Sequence, residues 1–152
     1  KILLINGHGG NDFTPLVRQI QADLDVFMFW CHVYEVGKDK HNEIFDTVDD
    51  HAGELETSMA LALFPELVEL EQADSGALRP FQFEALDRGW IKTSRKFSNL
   101  NDHCGNSDPS LATAEKGKQY LDFICHRISN FLIELSEAEV NDHFPHFPEI
   151  KH

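Results

Sequence analysis

Two short stretches of the sequence concentrate side chains that can do chemistry. The first, Asn6-Gly7-His8-Gly9-Gly10-Asn11, sets one imidazole among glycines directly after an apolar run. Imidazole is the commonest metal-binding side chain, and the glycines let the backbone approach a ligand closely or take positive φ. The competing interpretation is a tight strand-to-helix turn in which His8 merely hydrogen-bonds a neighbour, and the local sequence accommodates both. The second stretch, Asp50-His51-Ala52-Gly53-Glu54-Leu55-Glu56-Thr57-Ser58, places an imidazole at a helix start with carboxylates shortly after. Ala52 and Gly53 are small and leave room for a substrate or another backbone. Glu54 or Glu56 could equally be a helix-start carboxylate favoured by the macrodipole. Glu56 follows Leu55 of the expected buried stripe, and a carboxylate turned inward needs a cation or hydrogen-bond donors. Taken together, His8, His51 and Glu56 offer nitrogen and carboxylate donors suited to zinc, manganese or iron.

Other chemistries fit less well. A phosphate cradle wants Gly-x-Gly-x-x-Gly or a terminal Lys-Ser/Thr, and the glycine loop has neither. An esterase oxyanion loop needs a Gly-x-Ser-x-Gly nucleophile elbow, which is missing from this sequence.

The elements that must position these residues follow from apolar patterning. Ile2-Leu3-Leu4-Ile5 and Val26 to Val33 are short continuous apolar runs, as in strands buried on both faces. Between them Phe13, Leu16, Val17, Ile20 and Leu24 recur at helical spacing, predicting a helix over 12–24. Strand, helix and strand within about thirty residues form a βαβ unit with parallel strands and a right-handed crossover. Open α/β sheets bind ligands beyond the carboxyl ends of their strands, which is where His8 falls. A second helix is expected over 51–67, capped by Asp49 or Asp50, with Leu55, Met59 and Leu63 on one side and an end near Pro65. Residues 34–47 are polar and read as a loop, while Trp90 to Thr93 reads as a strand. Asn101 to Pro109 has turn chemistry. A long helix over 111–136 carries the stripe Leu121, Ile124, Ile128, Leu132 and Leu135, and the tail from Glu137 reads as irregular.

Composition bounds the function. The 152 residues are 41% hydrophobic, enough for one globular domain over 1–152 with a real core. The 26 acidic against 13 basic residues give a formal charge of -13. That argues against a nucleic-acid partner and suits a soluble protein that holds cations. No apolar run reaches ~18 residues, so no membrane span is expected. Cys31, Cys104 and Cys125 lack metal-finger or thioredoxin spacing and read as reduced thiols of a cytoplasmic protein. The chain opens directly into an apolar strand with no Met, and so reads as beginning mid-protein.

The glycine-histidine motif, followed by His51-Ala52-Gly53-Glu54-Leu55-Glu56-Thr57-Ser58 and then by Asp108-Pro109-Ser110-Leu111-Ala112-Thr113-Ala114-Glu115-Lys116-Gly117, resembles the creatininase (creatinine amidohydrolase) family. The resemblance covers three motifs in order and most of the chain. It implies a three-layer α/β/α sandwich with a mainly parallel sheet, of which this chain is the C-terminal part. It further implies that His8 and Glu56 are metal ligands, that His51 is a catalytic residue beside the substrate, and that the protein is a homo-oligomer. The family's N-terminal half carries a Glu, a His and a metal-bridging Asp, which have no counterpart here. Creatininase itself has an aromatic residue and a Glu where this chain has Gly9 and Gly10, and no Trp is found around Thr47. Trp30 matches a pocket aromatic. The expectation is hydrolysis of a carbon–nitrogen bond in a small cyclic or formyl amide by a hydroxide activated on two divalent ions (Zn, Mn or Fe). The alternative is a non-catalytic α/β fragment that contributes assembly contacts.

Overall fold

The computed structural model describes residues 1–48, 51–94 and 96–150. The first apolar run forms strand β1 (Ile2–Asn6) and the second forms β2 (Met28–His32). They pair in parallel, Ile2 opposite Met28 and Asn6 opposite His32. The connecting helix α1 (Thr14–Asp23) starts at Pro15, whose missing N–H costs nothing in a first turn. These two strands make up the sheet among the described residues.

Alternation along β2 sends neighbouring side chains to opposite faces. Phe29 meets Phe131 at 6.0 Å between ring centroids on one face, and Trp30 meets Phe13 at 6.2 Å on the other. The strand thus lies between two helical layers, as in an α/β fold. Coverage of β1 is thinner than its apolar sequence suggests: Ile2 and Ile5 are about half exposed, one on each face.

The core lies to the side of the sheet, where helix α2 (Glu54–Leu63) packs along the long helix α3 (Ala114–Glu137). Tyr120 is fully buried there with Ile44, Phe45, Leu55 and Ile124. Gly117 lets the two helices nearly touch, since a Cβ on it would stand 1.9 Å from the Ser58 carbonyl oxygen. Across the same contact the Thr113 N–H donates to Ser58 Oγ at 3.1 Å. Thr113 also caps α3 by accepting from Lys116 N–H at 3.2 Å.

Four expectations need correction. Helix α2 is shorter than 51–67: it begins after Gly53, stops at Leu63 ahead of Pro65, and leaves Leu63 exposed. The expected caps Asp49 and Asp50 lie outside the described residues. Residues 34–47 are largely short helical turns (Val33–Val36, Lys38–Lys40, His41–Ile44), and they deliver Ile44 and Phe45 to the core. Trp90 to Thr93 is not a strand, and Trp90 and Ile91 are exposed. In α3 the deepest position belongs to Tyr120 rather than to the predicted stripe, whose Leu132 is exposed.

Candidate active site

The loop after β1 is shaped by Asn6, whose buried side chain clamps the backbone around His8. Asn6 Nδ2 donates to the His8 carbonyl at 2.8 Å, while its Oδ1 accepts from His8 N–H at 3.2 Å and from Asn11 Nδ2 at 3.1 Å. His8 folds back over Gly10: a Cβ there would meet its Nε2 at 3.0 Å.

The two carboxylates at the start of α2 divide the roles that the sequence left open. Glu54 is the fully buried one. Its Oε2 accepts from Asp46 N–H, Thr47 N–H and Thr47 Oγ1, each at 2.9 Å, and its Oε1 meets the Lys116 ammonium. Burial alone would raise this carboxyl, but Lys116, Thr47 and Asp46 together outweigh it and hold the group below its usual range. Glu54 therefore ties the chain before α2 to α3.

Glu56 faces the other way, toward the loop after β1. Its Oε2 accepts from Ala52 N–H at 2.6 Å, as a carboxylate in a helix's first turn does. Its Oε1 accepts from the Tyr34 hydroxyl at 2.8 Å, and the same hydroxyl lies 3.2 Å from the Gly7 carbonyl. Tyr34 thereby links Glu56 to the His8 loop.

His51 completes the group, with Nδ1 3.8 Å from Glu56 Oε2 and its ring 6.4 Å from that of His8, edge-on. Phe97 packs against the His51 ring, 5.0 Å between centroids. Ala52, between His51 and α2, takes φ +54°, a left-handed conformation that strains a residue with a Cβ. Backbone strain of this kind is concentrated in functional loops.

An open cleft of about 560 Å³ runs beside these groups, bounded by Gly9, His32, Tyr34, Leu55 and Glu56 among others. Of the residues expected near a substrate, Gly9 lies in its wall and Gly10 sits beneath His8. Trp30 is not in the wall; its ring packs on Phe13 and lies 6.2 Å from His32. The aromatic groups that do line the cleft, His32, Tyr34 and His41, have no place in the sequence-based site. The rule that singled out His8, a polar residue at the carboxyl end of a parallel strand, applies equally to the end of β2.

Imidazole and carboxylate are the donor types that zinc and manganese take. Glu56 keeps lone pairs beyond those given to Tyr34 and Ala52, which orient it as outer-shell partners orient a ligating carboxylate. His8 and Glu56 fit part of such a site. Among the described residues, no three His, Cys, Asp or Glu side chains gather closely enough to cage an ion.

A parallel βαβ unit with histidines and a carboxylate gathered near the carboxyl ends of its strands defines an α/β protein. The creatininase (creatinine amidohydrolase) family model matches residues 1–132, and the chain belongs to that family. It is similar to a candidate creatinine amidohydrolase from Bacteroides fragilis NCTC 9343, with 30% identity over 93% of this chain and 56% of that one, at a TM-score of 0.84. A mutant creatininase of Zn-Zn type (20% identity, TM-score 0.67) and a manganese creatininase (21%, 0.63) share the fold, each over 90% of this chain and 56% of theirs. The chain thus spans just over half the length of these relatives. No curated protein sequence matches it. No helix among the described residues is long and apolar enough to cross a membrane.

Proposed function

We propose that the protein is a metal-dependent amidohydrolase that cleaves a carbon–nitrogen bond of a small cyclic or formyl amide. The observation that carries this is the meeting of His8, His51 and Glu56, brought from two motifs 40 or more positions apart by one tyrosine hydroxyl. In this reading His8 and Glu56 hold a divalent ion; a creatininase of Zn-Zn type and a manganese creatininase share the fold. Such an ion, one of a pair, supplies a water of lowered pKa and polarises the amide carbonyl.

The chain's own residues supply the rest. Asn6 fixes the His8 loop, and Tyr34 and Ala52 fix the carboxylate. His51, packed against Phe97, is placed to steady the developing negative charge or to pass a proton to the departing nitrogen. Gly9 leaves the cleft wall without a side chain, Gly10 lets His8 fold back, and Trp30 backs His32. Gly9 and Gly10 stand where creatininase itself has an aromatic residue and a glutamate, which argues against specificity for creatinine. The reading extends to a cytoplasmic homo-oligomer acting on a small molecule.

The test is a panel of small amides assayed with the protein loaded with zinc or manganese, then stripped by a chelator. Hydrolysis that disappears on stripping and returns on reloading is expected. Hydrolysis unaffected by the chelator, or none with any amide by a metal-loaded protein, would overturn it. A non-catalytic role in assembly has one observation in its favour, that His8 and Glu56 alone do not complete a two-metal site.

A further inference from the structure

His32 stands at the carboxyl end of β2, in register with the buried Asn6, and its ring forms part of the cleft wall beside Tyr34. Its Nδ1 is shut away from solvent with no hydrogen-bond partner. A neutral imidazole carries one N–H and one acceptor nitrogen. Nδ1 being the nitrogen shut away, Nε2 is the one left for a ligand, and with the proton on it the ring is a donor. The charged groups nearby are already matched: Lys38 Nζ meets both Glu35 oxygens at 3.1 Å. Glu56 occupies the opposite role as an acceptor. With Lys38 and Glu35 paired to each other, the neutral side chains that share the wall with His32, Tyr34 and Asn42 among them, suit an uncharged occupant with an acceptor oxygen.

We propose that His32 is a substrate-binding residue that donates its Nε2–H to a second carbonyl oxygen of a neutral cyclic imide-type substrate. This deepens the amidohydrolase reading and rests on it, since the scissile carbonyl is there left to the His8, His51 and Glu56 end of the site.

Succinimide and 2-pyrrolidinone test it, being five-membered cyclic amides that differ by one carbonyl. Calorimetric titration of the purified protein should show succinimide bound about fivefold more tightly, the worth of one neutral hydrogen bond. His32→Leu should erase that preference, and His32→Gln, whose amide nitrogen can reach the place of Nε2, should retain most of it. Independently of any variant's folding, ¹⁵N–¹H correlation of the wild-type His32 ring should show the proton on Nε2, with that resonance moving as succinimide is added. Equal affinity for the two probes, a His32→Leu variant with undiminished preference, or a proton on Nδ1 would each overturn the inference. A Glu56→Gln variant separates the two levels. If it hydrolyses amides normally the amidohydrolase reading fails, whereas the succinimide preference, which does not pass through Glu56, stands or falls by His32.

Discussion

Replacing Gly117 by Ala should destabilise the protein, against the ordinary preference of a helix interior. In an exposed helix this change gains about 1 kcal/mol, because alanine is the better helix former. Here the new Cβ would stand 1.9 Å from the Ser58 carbonyl oxygen, 2.3 Å from its carbonyl carbon and 2.8 Å from Met59 N. All three are backbone atoms of α2, so no side chain can swing aside. The helices must part by about 1 Å in a close-packed interior. That separation stretches the Thr113–Ser58 hydrogen bond, now 3.1 Å, and loosens the packing around Tyr120. Overpacking of this kind costs about 1–3 kcal/mol, with about 1 more for the hydrogen bond. The expected net loss is about 1–3 kcal/mol once the helix-propensity gain is set against it, or roughly 2–12 °C in Tm for a chain of this size. Thermal and urea melts followed by circular dichroism measure it directly. A variant as stable as the wild type, or more stable, would refute the reasoning and show that α2 and α3 approach less closely than described.

Further expectations follow from the site. Since the Glu54 carboxyl is held below its unfolded value of 4.5, it contributes stability that is fully present above that value and is lost as pH falls through the lower folded value. Urea midpoints compared at neutral and acid pH should therefore drop less in Glu54→Gln than in the wild type, from a lower start; parallel slopes would count against the buried ion pair. Tyr34→Phe removes the hydroxyl that orients Glu56 and should lower metal affinity and kcat/KM by roughly 10–100-fold, with little change in Tm. Metal titration and kinetics that match the wild type would show that this contact has no bearing on the ligand. Ala52→Gly should raise stability by about 1 kcal/mol by relieving the left-handed backbone at φ +54°, and a destabilised variant in a urea melt would argue against that conformation.

What the sequence reveals here depends on whether a signal is local. The strands are legible because Ile2 to Ile5 and Met28 to Cys31 are unbroken apolar runs of strand length, and they pair in parallel as a βαβ unit requires. The glycine-histidine loop is legible as a motif, although the device that shapes it, the Asn6 clamp, rests on contacts that no spacing rule encodes. Ile44 and Phe45 are hidden in a polar stretch whose short helical turns have no apolar periodicity, and only packing on Tyr120 makes them core. Trp90 and Ile91 carry strand-forming side chains but find no partner strand, so β propensity misleads there. Glu54 and Glu56 look interchangeable in sequence. They are separated by helix geometry, which turns Glu54 toward Lys116 and Glu56 toward Tyr34. The partial exposure of β1 is not legible, since a run of four apolar residues looks the same whether one or two layers cover it.

The central claim is that Glu56 serves as a metal ligand for hydrolysis and not solely as a helix-start carboxylate. One preparation of wild type and one of Glu56→Gln, matched for circular dichroism, should be analysed for bound zinc and manganese by mass spectrometry and assayed on the same amide. Glutamine, which can still accept from Ala52 N–H and Tyr34, should keep the fold while metal content and hydrolysis fall together by at least about tenfold. A folded variant that retains both metal and activity would contradict it.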